Sequence, residues 1–197
     1  MNTVKLGAVI PTMGTSHLLD AMGSLPPGTS LYLRDNRTDN WGVAKSWNWG
    51  IHQAITDGCN YILVTNDDVR YDPSIVLRLM EAFSVASDIV LTAAYNGSFN
   101  PDPWDHPNFS LFMIRSTFPE QVGWFDEHFW PAYWEDTDMH EQIKAKGLRT
   151  YTPEGAEFHH WGSTTIRENA TLRALNNQTF ERNKAYFLKK WGRISWP

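Results

Sequence analysis

Short apolar runs alternate with longer amphipathic segments along the first half of the chain. The runs at 4–10, 31–33, 62–65 and 89–94 consist almost entirely of apolar and β-branched residues. Runs of this kind are typical of strands buried on both faces of a sheet. The segments at 17–25, 42–57 and 73–83 repeat apolar residues at helical spacing. The resulting order β-α-β-α-β-α-β predicts right-handed crossovers and an α/β fold with a mostly parallel sheet.

The pattern changes after residue 95. Segment 96–108 is rich in Gly, Pro, Asn and Asp, and its length is typical of a functional or mobile loop. Further on, the sequence predicts strands at 110–115, 149–151 and 157–159, helices at 118–122 and 139–146, and a basic amphipathic helix at 170–191. No internal repeat, low-complexity segment or linker is visible, so we expect one domain over 1–197.

Composition narrows the class of protein. The chain has 197 residues, of which 42% are hydrophobic, and a net charge of −5, which is unlike the basic footprint of a nucleic-acid-binding protein. The single Cys59 excludes an internal disulfide and fits a reducing compartment. No apolar run is long enough for a transmembrane segment, and no leader pattern precedes Pro11, so we expect a cytoplasmic protein. The ten Trp residues suit stacking on sugars or bases.

Three polar residues, Asn66, Asp67 and Asp68, directly follow the buried run at 62–65. Side chains at the carboxyl end of a strand lie in the crevice where open α/β sheets bind ligands. Adjacent carboxylates repel each other unless a positive charge is near, and Mg²⁺ and Mn²⁺ prefer carboxylate oxygens while leaving positions for phosphates. Because Asn and Asp are also common in turns, a metal site and a solvated turn both remain open.

A second acidic pair, Glu135 and Asp136, precedes the helix predicted at 139–146. A carboxylate there caps the helix and is stabilised as the anion by the helix dipole, so a capping role alone is one interpretation of Asp136. The preceding aromatic run, which includes Trp130 and Trp134, favours a bound sugar instead. Sugars stack their C–H face on aromatic rings and donate hydroxyl hydrogens to acids.

Two adjacent histidines, His159 and His160, end the strand predicted at 157–159. A single histidine is more often a structural hydrogen-bonding group than a ligand, but an imidazole can complete an oxygen-rich Mn²⁺ shell. The i, i+4 spacing of Asp136 and His140 would also allow a metal pair, although His140 can equally be a solvated helix residue.

Four sequence blocks resemble family 2 glycosyltransferases with the GT-A fold, a Rossmann-like three-layer sandwich, and the rhamnosyltransferase-like branch most closely. The blocks are VIPT at 9–12, LRDN at 33–36, VTNDDV at 64–69, and the most specific one at 123–147. The His159-x-x-Gly162 segment and the closing helix resemble the family as well, in the family's order. The resemblance covers nearly the whole chain. It implies a nucleotide-sugar-binding half at about 1–95 and a half at about 96–197 that contains the catalytic residues and a small acceptor-side subregion.

The resemblance implies an inverting transfer from a UDP-, dTDP- or GDP-linked sugar to a glycan or other hydroxyl acceptor, assisted by Mn²⁺ or Mg²⁺. Asp136 would be the general base, and Asp68 with His159 would hold the metal, His160 being the close competitor. The donor would be bound by Pro11, Thr12, Asp35, Lys45, Asn48, Asn66 and Asp67. The acceptor would be bound by Trp104, Trp130, Trp134 and Glu135.

The chain departs from the family pattern at a few positions. Arg37 stands where the family usually has Gly, Asn66 where it often has Asp, and Gln142 where it has Arg. The usual diphosphate-binding cation before Asn48 is absent unless Lys45 replaces it. These departures put some donor or acceptor contacts in doubt.

Two other functions are alternatives to a glycosyltransferase. A sugar-phosphate nucleotidyltransferase normally needs a Gly-rich basic loop after the first strand, and residues 12–17 contain one Gly and no Lys or Arg. A non-catalytic sugar- or nucleotide-sugar-binding module would explain the Trp content but does not need both acidic clusters. For the basic C-terminal helix we expect packing against the domain rather than contact with a membrane or lipid-linked acceptor.

Overall fold

The protein is described here from a computed structural model, which covers residues 4–97, 109–162 and 169–192. Its strands are β1 (Leu6–Thr12), β2 (Ser30–Asp35), β3 (Tyr61–Thr65), β4 (Val69–Tyr71), β5 (Ile89–Ala93), β6 (Tyr95–Asn96), β7 (Leu111–Arg115), β8 (Arg149–Tyr151) and β9 (Glu157–His160). Its helices are α1 (Leu18–Gly23), α2 (Val43–Thr56), α3 (Ser74–Ala82), α4 (Phe118–Gln121), α5 (Glu135–Ala145) and α6 (Ala170–Trp191).

The central sheet has six strands in the order β2-β1-β3-β7-β5-β8. Strand β7 runs antiparallel to both of its neighbours, β3 and β5, whereas β1 pairs in parallel with β2 and β3, and β5 pairs in parallel with β8. All strands of this sheet except β7 therefore point the same way, and the prediction of a mostly parallel sheet is confirmed. Their carboxyl ends lie at one edge, where β1, β2 and β3 lead into polar residues.

Apolar helix faces cover both sides of this sheet. On one side Trp47 and Ile51 of α2 and Met139 of α5 share a core cluster with buried strand residues. On the other side Val76 and Leu79 of α3 pack against a second set of strand side chains. The α/β fold predicted from the helical and strand periodicities, and the three-layer sandwich implied by the family resemblance, are therefore confirmed.

Helix α2 packs unusually close to β1 because Gly50 has no side chain. A Cβ atom at position 50 would lie 2.2 Å from Cγ1 of Val9, far inside contact distance. The close approach brings the N-terminal end of α2, at Gly42 and Val43, to the carboxyl edge of the sheet. There the backbone N–H of Val43 donates to the carbonyl oxygen of Pro131 at 2.8 Å.

A second sheet, with the order β4-β9-β6, lies at the carboxyl end of β3. Strands β4 and β6 were not predicted, since they contain 3 and 2 residues and are too short for periodicity to reveal. β4 begins directly after Asp68 and pairs antiparallel with β9, with Val69 opposite His160. This pairing brings residues far apart in sequence to the end of the central strand.

Helix α5 begins at Glu135, earlier than the predicted start at 139. Asp136 thus lies in the first turn, and the N-cap position is Trp134 in the left-handed conformation, so the alternative interpretation of Asp136 as only an N-cap is wrong. Three acids in that turn extend the helix toward its N-terminus, where its dipole favours negative charge. Among the described helices, none combines the length and apolar character that crossing a bilayer requires.

Candidate active site

A cavity of about 480 Å³ opens at the carboxyl edge of the sheet. This is the position at which open α/β sheets bind ligands. Both acidic pairs line it: Asp67 and Asp68 from the end of β3, and Glu135 and Asp136 from the start of α5. Further polar lining comes from Thr12 of β1, Asn36 and Asn40 after β2, Asn66, and Asn176 of α6, and apolar lining includes Pro11 and Phe180.

Asp67 is fixed by the loop that follows β1. Its Oδ2 accepts hydrogen bonds from the Thr12 hydroxyl at 2.5 Å and from the Met13 backbone N–H at 3.3 Å. Burial raises the pKa of Asp67; the hydrogen bond from Thr12 opposes that rise, and the charge of Asp68 adds to it. One oxygen of Asp67 is therefore committed to holding β1 and β3 in register at the cavity.

Asp68 is paired with a histidine from the second sheet. Its side-chain Oδ1 lies 3.0 Å from Nε2 of His160, and its carbonyl oxygen accepts from the Trp161 N–H at 3.1 Å. His160 lines the cavity. His159 is its exposed neighbour on the strand, with its ring 4.8 Å edge-on to Trp161. The sequence left His159 and His160 as alternatives, and the structure brings His160 to Asp68.

The donor atoms at Asp68 and His160 fit a hard divalent cation that also binds phosphate. One carboxylate and one imidazole nitrogen within hydrogen-bond distance are two ligands that Mn²⁺ accepts. In residues 4–97, 109–162 and 169–192, no group of three or more His, Cys, Asp or Glu side chains could hold a metal. A cation at this pair would therefore need oxygens from a ligand or water, as Mg²⁺ does at phosphate sites.

The second acidic pair follows a strained turn. The Trp130–Pro131 peptide bond is cis. Tyr133 and Trp134 have φ of 72° and 78°, values that residues other than glycine rarely adopt. Each left-handed residue of this kind costs about 1–2 kcal/mol, so neighbouring groups must hold the turn in place. At its end, Oδ1 of Asp136 accepts from the Thr137 N–H at 2.7 Å, and the Asp136 carboxylate borders the cavity.

Glu135 is almost completely buried, with 7% of its surface exposed. Its Oε2 has no hydrogen-bond partner among the described residues. Burial raises the pKa of Glu135 well above its usual range, and the charge of Asp136 raises it further. Oδ1 of Asn176 and Nε1 of Trp47, also in the cavity lining, are likewise buried without a partner in the described part of the chain. Buried polar atoms of this kind are usually satisfied by water or a ligand.

Asp35 lies at the cavity edge, as the register partner of Thr12 on β2, but not in its lining. Its carboxylate accepts from Nε of Arg37 at 3.0 Å and from Nη2 at 2.5 Å. The hydrogen bonds from Arg37 lower the pKa of Asp35 to about 2. Arg37, which stands where the family usually has Gly, therefore binds the carboxylate that was predicted to contact the nucleotide base.

Lys45 and Asn48 of α2 also lie outside the lining of the cavity. The Lys45 ammonium stacks over the Trp41 ring, 4.7 Å from its centroid. The Asn48 amide donates to the Phe125 carbonyl and to a Glu127 carboxylate oxygen, both at 2.9 Å. The Asn48 contacts join α2 to the segment before α5.

The predicted acceptor-side tryptophans have different positions. Trp134 lines the cavity and is 3% exposed, with its ring 5.2 Å from that of Phe187 on α6. Trp130 is outside the lining and donates from Nε1 to the Asn40 carbonyl at 2.9 Å. Trp104 lies outside the described residues. His140, the other half of the suggested i, i+4 pair, is buried against Phe109.

Sequence reasoning missed the contribution of α6 to the cavity. Leu172, Asn176 and Phe180 line it at successive spacings of four residues, which place them on one helix face. The same spacing is present in the sequence, from which we expected the helix only to pack against the domain. The asparagines after β2, Asn36 and Asn40, also line the cavity; their position after a strand was the available signal.

The fold is shared with solved glycosyltransferases. A Drosophila β-1,4-galactosyltransferase 7 mutant in complex with manganese, UDP-Gal and xylobiose aligns with a TM-score of 0.57 and 13% identity, over 84% of this chain and 74% of that one. GalNAc-T7 with UDP, GalNAc and Mn²⁺ aligns with a TM-score of 0.61 and 12% identity, over 95% and 50%. At these identities the similarity shows the GT-A fold.

Sequence comparison gives a nearer relative. A galactofuranosyl glycosyltransferase of Leishmania donovani is 33% identical over 95 residues, which are 47% of this chain and 21% of that protein. The chain thus spans about a fifth of the length of this curated relative. The rhamnosyltransferase-like branch stays a prediction.

The family itself follows from a longer match. Residues 32–145, more than half of the chain, match the model of glycosyl transferase family 2. The match includes the end of β3 with Asp67 and Asp68 and the start of α5 with Glu135 and Asp136, which together border the cavity. This protein therefore belongs to glycosyl transferase family 2.

Proposed function

We propose that the protein transfers a sugar from a nucleoside-diphosphate sugar to an acceptor hydroxyl, with inversion at the anomeric carbon. One observation carries the proposal: Asp68 with His160 and Glu135 with Asp136 border the same cavity from two separate elements. One pair suits a metal and a diphosphate, and the other suits a hydroxyl nucleophile. A single displacement needs both functions in one cavity, because the base acts on the acceptor hydroxyl while the metal acts on the departing diphosphate of the donor.

Asp136 is the general base of this proposal. It takes the proton of the acceptor hydroxyl as that oxygen bonds to the anomeric carbon. The bond from that carbon to the phosphate oxygen breaks, and the nucleoside diphosphate leaves with the electron pair. Asp136 and the Asp68–His160 pair belong to different elements, and a carboxylate that does not bind the metal is a better base than one that does.

Asp68 and His160 would hold the divalent cation, with His160 taking the role first considered for His159. When bound, Mn²⁺ or Mg²⁺ would supply positive charge to the departing diphosphate. Pro11, Thr12 and Asn66 line the donor side, and Asp67 keeps that side in register through Thr12. Asp35 contacts the nucleotide base once the Arg37 side chain moves away from the Asp35 carboxylate. Lys45 and Asn48, which lie outside the lining, are not part of the proposed donor site.

The acceptor approaches from the side of α6. Glu135, Trp134, Asn176 and Phe180 form that wall. Oε2 of Glu135 and Oδ1 of Asn176, which have no hydrogen-bond partner within the described ranges, suit a ligand with hydroxyl donors. The galactofuranosyl relative and the UDP ligands of the structural neighbours make UDP-galactose, in its pyranose and furanose forms, the first donors to examine.

The test is thermal unfolding with nucleotide sugars in the presence and absence of Mn²⁺. We expect a UDP-sugar with Mn²⁺ to raise the melting temperature more than either component alone. Asp68→Asn should abolish the part of that rise that depends on metal. If no UDP-, dTDP- or GDP-sugar changes the melting temperature with Mn²⁺ present, the proposed donor and metal site is wrong.

A further inference from the structure

Asn183 of α6 bonds several carbonyls of the strained turn before α5. Asn183 is 1% exposed. Its amide nitrogen donates to the carbonyl oxygens of Ala132 at 3.1 Å and Tyr133 at 3.2 Å, and lies 3.4 Å from that of Trp130. An asparagine amide has only two hydrogens, so the carbonyls of this turn share them.

Donors from other positions complete the support of the same turn. Arg182 donates to the Trp130 carbonyl from α6, and the Val43 N–H donates to the Pro131 carbonyl from α2. The carbonyls from 130 to 133 therefore all point to donors outside the turn. Asn183 is the donor that reaches the first of the two left-handed residues, Tyr133.

We propose that Asn183 is a positioning residue: by holding the turn at 130–134, it directs Glu135 and Asp136 into the cavity. The inference rests on the proposed function in taking Asp136 as the base. Asn183 is absent from the cavity lining and acts only through the turn. Without its donors, the left-handed residues lose their support and the start of α5 shifts toward a relaxed backbone.

The attachment of α6 to the domain does not depend on Asn183 alone. Further along the helix, Lys190 and Trp191 donate to the buried Asp138 at 2.8 Å and 2.7 Å, and Phe187 is fully buried. A variant at 183 can therefore leave the helix docked while it releases the turn. Positioning and general stability are separable for this reason.

A matched control lies three residues further on α6. The Tyr186 hydroxyl donates to Oδ2 of Asp126 at 3.0 Å, which is not part of the turn. Tyr186→Phe removes one hydrogen bond between the same helix and the same side of the domain. Asn183→Asp keeps the size of the side chain but replaces the donor nitrogen by oxygen. Asn183→Ala removes the donor without adding charge, and it decides the question if the added charge prevents folding.

The experiment measures amide hydrogen exchange in peptides covering 130–138, where the Asp138 N–H bonds to the Trp134 carbonyl at 2.9 Å. We expect exchange there to rise about tenfold or more in both variants at 183 while the central strands stay protected. Tyr186→Phe should leave these peptides unchanged. Exchange like that of the wild type in Asn183→Ala would overturn the proposal, whatever the enzyme's substrate.

Kinetics give the second measurement. With the donor found by thermal unfolding, kcat should fall about 10–100-fold in Asn183→Ala, the size expected for a misplaced catalytic group, and the KM for the donor should stay within about twofold. Tyr186→Phe should keep kcat. An equal loss of kcat in Asn183→Ala and Tyr186→Phe would show that Asn183 contributes to stability and does not position the turn. A wild-type enzyme inactive with every donor would instead count against the proposed function, and the exchange result would stand.

Discussion

The two acidic pairs of the cavity are built in opposite ways. Asp67 and Asp68 follow a buried strand, and contacts near that strand end fix them: a hydroxyl of the adjacent strand and a histidine of a paired strand. Glu135 and Asp136 follow two left-handed residues, Tyr133 and Trp134. The carbonyl of Tyr133, like that of Ala132 before it, accepts from Asn183 on a helix about 50 residues further on. The position of Asp67 and Asp68 therefore depends on sheet register, whereas the position of Glu135 and Asp136 depends on a helix distant in sequence. Substitutions should therefore affect the two pairs separately.

The largest expected effect is at the base of the second pair. Asp136→Asn should lower transfer about 10²–10⁴-fold, since that is what a positioned general base contributes. The rise in melting temperature with donor and Mn²⁺ should remain, because Asp68 and His160 are untouched. Turnover measured as nucleoside diphosphate release checks the first expectation. Retained turnover would remove Asp136 as the base.

The first pair offers a comparison between adjacent residues. His160→Ala should weaken the Mn²⁺-dependent binding of the donor about 100-fold, the upper end of what loss of a supporting group at a metal site costs. His159→Ala, on the exposed side of the same strand, should leave it unchanged. Calorimetric titration of Mn²⁺ and the donor into each variant measures the difference. The reverse ranking would restore His159 as the metal ligand.

A third substitution tests how strongly α6, which supports the second pair, is attached to the domain. Lys190→Met leaves the buried Asp138 with Trp191 and Gln142 but without its cation. Losing one partner of a buried pair costs about 3–5 kcal/mol, and we expect about 2 kcal/mol because Lys190 is partly exposed. Chemical denaturation measures the loss. Lys189→Met, at the adjacent exposed position, is the control and should change little.

The smallest effect is the pH dependence caused by Glu135. Its pKa is raised in the folded state, so its ionisation costs no stability below the unfolded pKa of about 4.3, and the folded state is increasingly destabilised as the pH rises above that value. Glu135→Gln should therefore raise the melting temperature at pH 8 by about 2–4 °C, the shift produced by 1 kcal/mol in a domain of this size. At pH 4 the two proteins should melt alike. Glu154→Gln, on an exposed residue, should show no such difference.

The sequence was sufficient for the parts that depend on local pattern. The continuous apolar runs identified the central strands, and the polarity change after Thr65 located Asp67 and Asp68 at the sheet edge. Helix periodicity found α2 and α3, and Asp72 accepts a hydrogen bond from the Ser74 N–H at 2.8 Å at the start of α3. These features are set by residues within one turn or one strand of each other.

Features that depend on distant contacts were not predictable. The choice between His159 and His160 is set by the pairing of β4 with β9, and β4 is too short to recognise in the sequence. The capture of Asp35 by Arg37 is a side-chain choice that spacing does not encode. The left-handed conformation of Tyr133 and Trp134 contradicts their own backbone preference, because donors from α2 and α6 override it.

The place of Asn183 in the chain has a consequence for synthesis on the ribosome. Residues of the central sheet leave the exit tunnel well before α6, and chains grow at about 5–20 residues per second. During that interval the donor side of the cavity can form, while the turn at 130–134 has no amide to bond its carbonyls. A nascent chain would thus acquire the ability to bind donor before it could transfer the sugar, and catalytic competence would arrive with the last helix described here.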